Sequence, residues 1–412
     1  MKLLPLLLLC ACAGSLVDHE GITIPPDAGV VAVTPPTQAC LDTCTVAPQG
    51  AAPLCNGDVC TYQCNPGLLK TPLTNPPSCS VPSAIAAGGN HTCAIAGGQV
   101  RCWGDNTVKE LGVDAPVKTG IPVGPSLPAD ADQIAASTTQ TCAHLVNGAV
   151  WCWGAGQPPH EIAGITGSVN AIAAGAAHAC AATDSSVWCW GDNASGQLGA
   201  GPAHAAPEPV SNLPGAKTLA AGSNHTCAGD ATGSLWCWGA NDAGQNGTGG
   251  TSATSLPAVV SYQGITGSFV AAGEGHTCNI TSGSLSCWGA NATNQVDGSA
   301  AAAIFTQPKG ELSGATAVTG GAGHTCALQG GGVFCWGLND SGQLDTGDTV
   351  NKPGPFRTTL NGVLSIAAGS KHTCALLTPD KSIKCWGAND QGQLGTGTVS
   401  GGSTSPEPVT GL

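Results

Sequence analysis

Positive charge is scarce. Twelve lysines and arginines face 25 aspartates and glutamates in 412 residues, a formal net charge of −13. A nucleic-acid binder needs a basic face to neutralise phosphates, and this composition cannot build a large one. Charged residues of both signs make up only 9% of the chain. No long stretch carries a 3.6-residue apolar period, so helices are not expected. After the N-terminus no uninterrupted apolar run reaches 18 residues, which excludes a transmembrane helix there. No Ser-His-Asp elbow, HExxH helix or phosphate loop occurs, so no catalytic residue, cofactor or metal ligand is assigned.

What is abundant is glycine, with 61 residues, proline with 29 and cysteine with 22. Gly and Pro at this level suit many short strands joined by tight turns. So many cysteines need an oxidising compartment or a metal. The start of the chain, "MKLLPLLLLCACAGS", has Lys2, an apolar run and then small residues, which reads as a secretory signal. Leu9-Cys10-Ala11-Cys12 looks like a bacterial lipobox. That resemblance implies a signal peptide over 1–12, lipidation of Cys12, and attachment to the cell envelope through lipid only, at the outer membrane or cell surface. Residues 13–39 are Pro-rich and read as an extended linker. Residues 40–79 hold Cys40, Cys44, Cys55, Cys60, Cys64 and Cys79. Forty residues bury little, so a small disulfide-rich module is expected, with 15 pairings left open.

From 84 to 412 the chain repeats itself. The first cysteines of the units are Cys93, Cys142, Cys180, Cys227, Cys278, Cys326 and Cys374, at intervals of 38 to 51 residues. Such a period marks a propeller or solenoid. Each unit reads as four short strands between Gly and Pro turns, which is one propeller blade. Repeats reading Ala-Ala-Gly-x-x-His-Thr-Cys-Ala and then Trp-Gly-x-Asn-x-x-Gly-Gln-Leu-Gly resemble the regulator of chromosome condensation family. The resemblance implies a seven-bladed, all-β propeller. The second repeat departs from the pattern: Gln140 stands for the histidine, and "WGAGQPPHEIAG" lacks the Gly-Gln-Leu-Gly loop. Its blade is expected to be short on one face.

Strand pairing follows from the turns. Gly97-Gly98 suits a two-residue hairpin with positive φ at both positions. Counting outward puts Ile95 opposite Val100, and Cys93 opposite Cys102 as a non-hydrogen-bonded pair that a disulfide can span. The same reasoning pairs Cys142 with Cys152, Cys180 with Cys189, Cys227 with Cys237, Cys278 with Cys287, Cys326 with Cys335 and Cys374 with Cys385. A zinc site would want four ligands at shorter spacing, and each repeat offers three at most.

His91 then falls opposite Gly104, and His178, His225, His276, His324 and His372 opposite Gly191, Gly239, Gly289, Gly337 and Gly387. An imidazole packed over glycine is expected. A metal-binding ring of histidines is the other reading, and Gln140 interrupts it. Trp103 and its equivalents are expected between blades. Trp151, Trp188 and Trp236 are extra, candidates for an exposed contact surface. The carboxylates Asp105, Glu110, Asp192, Asp242, Glu274, Asp340, Asp345 and Asp390 fall mostly in loops; a solvated loop charge is expected for Glu274, a functional role being the other reading. Glu274 breaks the repeat just before His276. "NDSGQLDTGD" at 339–348 hints at calcium, but its spacing misses the EF-hand pattern. The functional expectation is a monomeric envelope binding protein with an unknown protein ligand and no nucleic acid. The alternative is a carbohydrate-active or lyase-type propeller enzyme. The last strand, within 405–412, is expected to close the ring by joining the first blade.

Overall fold

The computed structural model describes residues 82–410, except 200, 261–264, 266–268, 299–302 and 307–311; of 303–306 it describes the backbone alone. Before residue 81 it describes only the backbone of short strands. The chain divides into two units, 1–80 and 81–412. In the first, Ala51–Asn56 pairs antiparallel with Val59–Cys64, with Cys55 opposite Cys60. Cys40, Cys44 and the side chains of Cys12, Cys55, Cys60, Cys64 and Cys79 lie outside the described residues, as do the linker and the lipobox side chains.

The second unit is seven antiparallel four-stranded sheets and, among the described residues, no helix. Each sheet is built from four consecutive strands. The first uses Pro82–Ala87, His91–Ala96, Gln99–Asp105 and Lys118–Val123. The blades span 82–123, 131–161, 169–209, 216–259, 270–306, 315–357 and 363–408. The Ala-Ala-Gly strand is innermost in every blade, and together these strands line a central channel. Small residues are required there, because seven strands converge on one axis.

The second and third strands form the hairpin expected from the turns. Ala96 faces Gln99, Ile95 faces Val100, Cys93 faces Cys102 and His91 faces Gly104. Gly97 and Gly98 have φ of 55° and 78°, the left-handed values a two-residue turn of this type needs. In each blade the cysteine pair stands at disulfide distance, with sulfurs 2.08 to 2.13 Å apart. Blade two is short on one face: its third and fourth strands are joined by Ala155 and Gly156 alone, both at positive φ.

Ring closure differs from the expectation. The last strand, Ser403–Pro408, pairs with Ile383–Gly387 of its own blade rather than joining the first. The first blade already has a fourth strand, Lys118–Val123, so it offers no vacancy. Side chains and inter-blade backbone bonds close the ring instead. Trp103 of blade one packs among Cys374, Leu376, Cys385, Leu394 and Val409 of blade seven.

Candidate functional site

In a strand successive side chains point to opposite faces, and the His-Thr-Cys run uses this alternation. His and Cys face the next blade; Thr, and the Trp opposite it, face the previous one. The cystine of each blade meets the Trp of the next: Trp153 packs on Cys93 and Cys102, and Trp238 on Cys180 and Cys189. Six of the seven tryptophans are no more than 1% exposed, and Trp190 is 6% exposed.

Polar groups cross six of these interfaces in a recurring set, in which only the Trp336 indole N–H lacks its partner. His324 of blade six meets the Thr373 hydroxyl of blade seven, Nε2 to Oγ1 3.0 Å. That hydroxyl donates to the backbone carbonyl of Gln343 at 2.9 Å, and Trp386 Nε1 donates to the same oxygen at 2.8 Å. A hydroxyl has one proton. Since Thr373 gives it to the carbonyl, the histidine must donate from Nε2, which leaves Nδ1 bare. Gln343 belongs to the loop equivalent to Gly-Gln-Leu-Gly, here Gly342-Gln343-Leu344-Asp345. Its side-chain oxygen accepts the Ser341 N–H, and Asn339 Oδ1 accepts the Leu344 N–H, so the loop holds its own shape. The closing seam is made the same way: Thr92 meets His372 at 2.8 Å, and both Thr92 and Trp103 donate to the Gln393 carbonyl.

The interface between blades two and three omits the whole set. Gln140 replaces the histidine, the loop that would carry the carbonyl is missing, and Ala179 stands for the threonine. Ala179 is fully buried, so a hydroxyl there would lack both partners. In compensation Gln140 Nε2 donates to the carbonyls of Gly175 and His178, and Thr139 Oγ1 to that of Ala176.

The six histidines of the set are therefore structural. All are at most 1% exposed. Burial lowers His91 and His178 to about 4, and His225, His276, His324 and His372 to about 3; nearby Asp105, Asp192, Asp242 and Asp340 partly offset this for His91, His178, His225 and His324. The rings do not pack over the glycines opposite them in the hairpin. Gly104 lies against the backbone of Asn90 and His91, where a Cβ would come within 2.4 Å of the Asn90 carbonyl oxygen. The ring of His91 rests instead on Gly88, the glycine of the Ala-Ala-Gly strand, where a Cβ would stand 2.5 Å from Cε1.

The extra tryptophans are half-buried. Trp151 joins the core between blades one and two, and Trp236 Nε1 donates to Asp230. Two of the carboxylates are not solvated. Glu110 and Asp345 are 3% and 2% exposed, and desolvation raises both above the ordinary carboxylate range. Asp345 accepts the backbone and side-chain donors of Thr359, while Asp348 pairs with Lys352, so the stretch 339–348 is a braced loop.

The first-to-second and third-to-fourth connections of every blade fall at one end of the cylinder, around the channel mouth. One residue per blade forms the inner rim: Gly89, Thr138, Ala176, Ser223, Glu274, Ala322 and Ser370. Backbone bonds link them round the circle except between blades two and three, where the Thr139 hydroxyl donates to the Ala176 carbonyl. Ala176 N–H donates to Ser223 O, Ser223 to Glu274, Glu274 to Gly321, Ala322 to Ser370, and Ser370 to Gly88 and Gly89. Sequence reading located Glu274 as an exception in a repeat; only the ring assembly places it at the channel.

Seven four-stranded blades around a channel define a seven-bladed β-propeller. Blades three, four, six and seven match the regulator of chromosome condensation (RCC1) repeat. One model of that repeat matches residues 184–228 and 330–376, and a second matches 169–197, 216–245 and 363–393. A human protein, the E3 ubiquitin-protein ligase HERC2, is 39% identical over 101 residues. That match takes in 20% of this chain and only 2% of the ligase. Among solved structures, human WBSCR16 superposes with a TM-score of 0.64 at 20% identity, over 78% of this chain and 90% of that one. The CRINKLY WD40 ectodomain of the Arabidopsis thaliana receptor kinase ACR4 gives 0.50 at 22% identity, over 75% and 96%. At these identities the likeness is one of fold.

Proposed function

We propose that the chain is an extracytoplasmic binding protein, held to the cell envelope by a lipid on Cys12, whose propeller works as a monomer and takes a protein partner on its channel-mouth face. One observation carries this reading. The scaffold residues repeat round the ring, whereas the rim positions differ from blade to blade on a backbone held by inter-blade hydrogen bonds. Fixed backbone under varied side chains is how loops on rigid scaffolds recognise partners. The seven cysteine pairs at disulfide distance suit an oxidising compartment. Acidic composition argues against nucleic acid as the ligand.

The test is affinity capture from envelope extracts with the oxidised chain as bait. A stoichiometric protein partner, lost when the bait is reduced and unfolded, is the expected outcome. Recovery of no partner in excess of that control would sink the reading. For the anchor, Cys12→Ala should release the chain from membranes; a variant that stays membrane-bound like the parent would contradict it.

A further inference from the structure

The central channel is a cavity of about 260 Å³, lined by alanines, glycines and a few hydroxyl residues. That is smaller than the ~300–1,000 Å³ of pockets for drug-sized molecules, so a single side chain suits it better than a cofactor. Glu274 is the one charged residue in its lining. Its side chain is exposed and reaches across the mouth from blade five to blade seven, where Oε1 accepts the Ser370 hydroxyl at 2.6 Å. No other side chain among the described residues is bonded to this carboxylate. Lys371, beside Ser370, is paired elsewhere, with Asp340 at 2.7 Å. Asp242 lines the adjoining depression together with Glu274. The seven innermost strands also turn an edge unpaired within their sheets towards the channel.

We infer that the channel mouth is a receptor for one basic side chain, a lysine or arginine projecting from a loop of the partner protein, with Glu274 as its counter-ion. This rests on the proposed binding role of the same face. The apolar stem lies among alanines, the cationic head meets the Glu274 carboxylate, and the Ser370 hydroxyl orients that carboxylate. An anionic side chain is repelled by the carboxylate, and an apolar one gains no ion pair there.

The probe is a capped seven-residue peptide of glycine and serine with a central lysine, and its counterpart with norleucine in that place. Binding to the full oxidised chain is read from broadening of the peptide proton resonances during titration. The lysine peptide should bind saturably and the norleucine peptide should not. Glu274→Gln should weaken the lysine peptide about tenfold, in keeping with loss of a charged hydrogen bond. Asp380→Asn, which removes the same charge from the opposite end, should leave binding unchanged. Thermal melting of both variants should match the parent, since both residues are exposed. Failure of the lysine peptide to bind, equal binding of the norleucine peptide, or unweakened binding by Glu274→Gln overturns the inference. Capture from envelope extracts separates the two readings. A partner retained equally by parent and Glu274→Gln leaves the binding role standing and removes the channel site. No partner with the parent removes the role itself.

Discussion

Single residues set how this fold responds to acid. Six buried histidines have folded-state values of about 3 to 4, against about 6.5 when unfolded. The unfolded chain therefore binds more protons between these limits. Stability should be at its full value above about pH 6.5 and fall as pH drops toward 4, by about 1.4 kcal/mol per pH unit for each histidine. Melting temperature measured against pH checks the direction. His324→Gln should reduce proton uptake on unfolding at pH 5 by about one, measured by titration; an unchanged uptake would show that His324 does not titrate in this window. Gln140 shows that an amide fits this position. The partner site makes a converse prediction. Ala179→Thr buries a hydroxyl with no loop carbonyl and no histidine, and should cost about 1–3 kcal/mol in denaturant unfolding. Adding Gln140→His should recover part of that loss. The histidine, its Cys neighbour and their shared face were legible in the sequence because they follow a period of two. The Thr–His and Thr–Gln contacts were not, because they join residues 48 to 52 and about 30 apart, across blades whose adjacency the strand pattern leaves open. Gln140 stood out as a departure, and Ala179 gained meaning only once the two were seen to face each other.

At the scale of the element, the hairpin is where sequence and structure agree most closely. Turn glycines fixed the register in five of the seven hairpins, and in all seven each cysteine stands opposite its partner. The packing direction of the imidazole was missed for a local reason. Opposition within a hairpin describes backbone, whereas the ring leans toward the innermost strand and comes to rest on Gly88. Peptide mapping without reductant should recover Cys326 joined to Cys335. Replacing both with alanine should lower stability by about 3 kcal/mol through loss of loop constraint. It should lower it further through lost contact, because Trp386 of the next blade packs on this pair. Recovery of the two as free thiols with stoichiometric zinc would contradict the disulfide.

For the whole molecule, the number of blades was readable from the repeats, but the manner of closure was not. A spare C-terminal strand invited the idea of a strand shared between the ends. The blades are instead alike in phase, each made from one continuous stretch, and the seam between blades seven and one carries the same His, Thr, Trp and Gln contacts as the ordinary interfaces. The chain's ends therefore have no special place in the propeller. Joining Thr410 to Pro82 through a short linker, which keeps Val409 in the seam, and opening the chain at 211–214, between blades three and four, should give a propeller that melts within a few degrees of the parent. A permuted chain that aggregates would show that the present seam depends on its termini.

The interface between blades two and three has an implication for the order in which the ring comes apart. A circle of seven joints opens wherever solvent first gains entry, and the other six joints then lose the constraint that closure imposed. Water is nearest here: blade two has no overhanging loop, Gln140 is only partly covered, and Trp190 is the most accessible of the seven interfacial indoles. Amide exchange should begin along Ala179 and Trp190 and spread from there in both directions, so that a ring with nearly sevenfold architecture unzips from a single, sequence-encoded point.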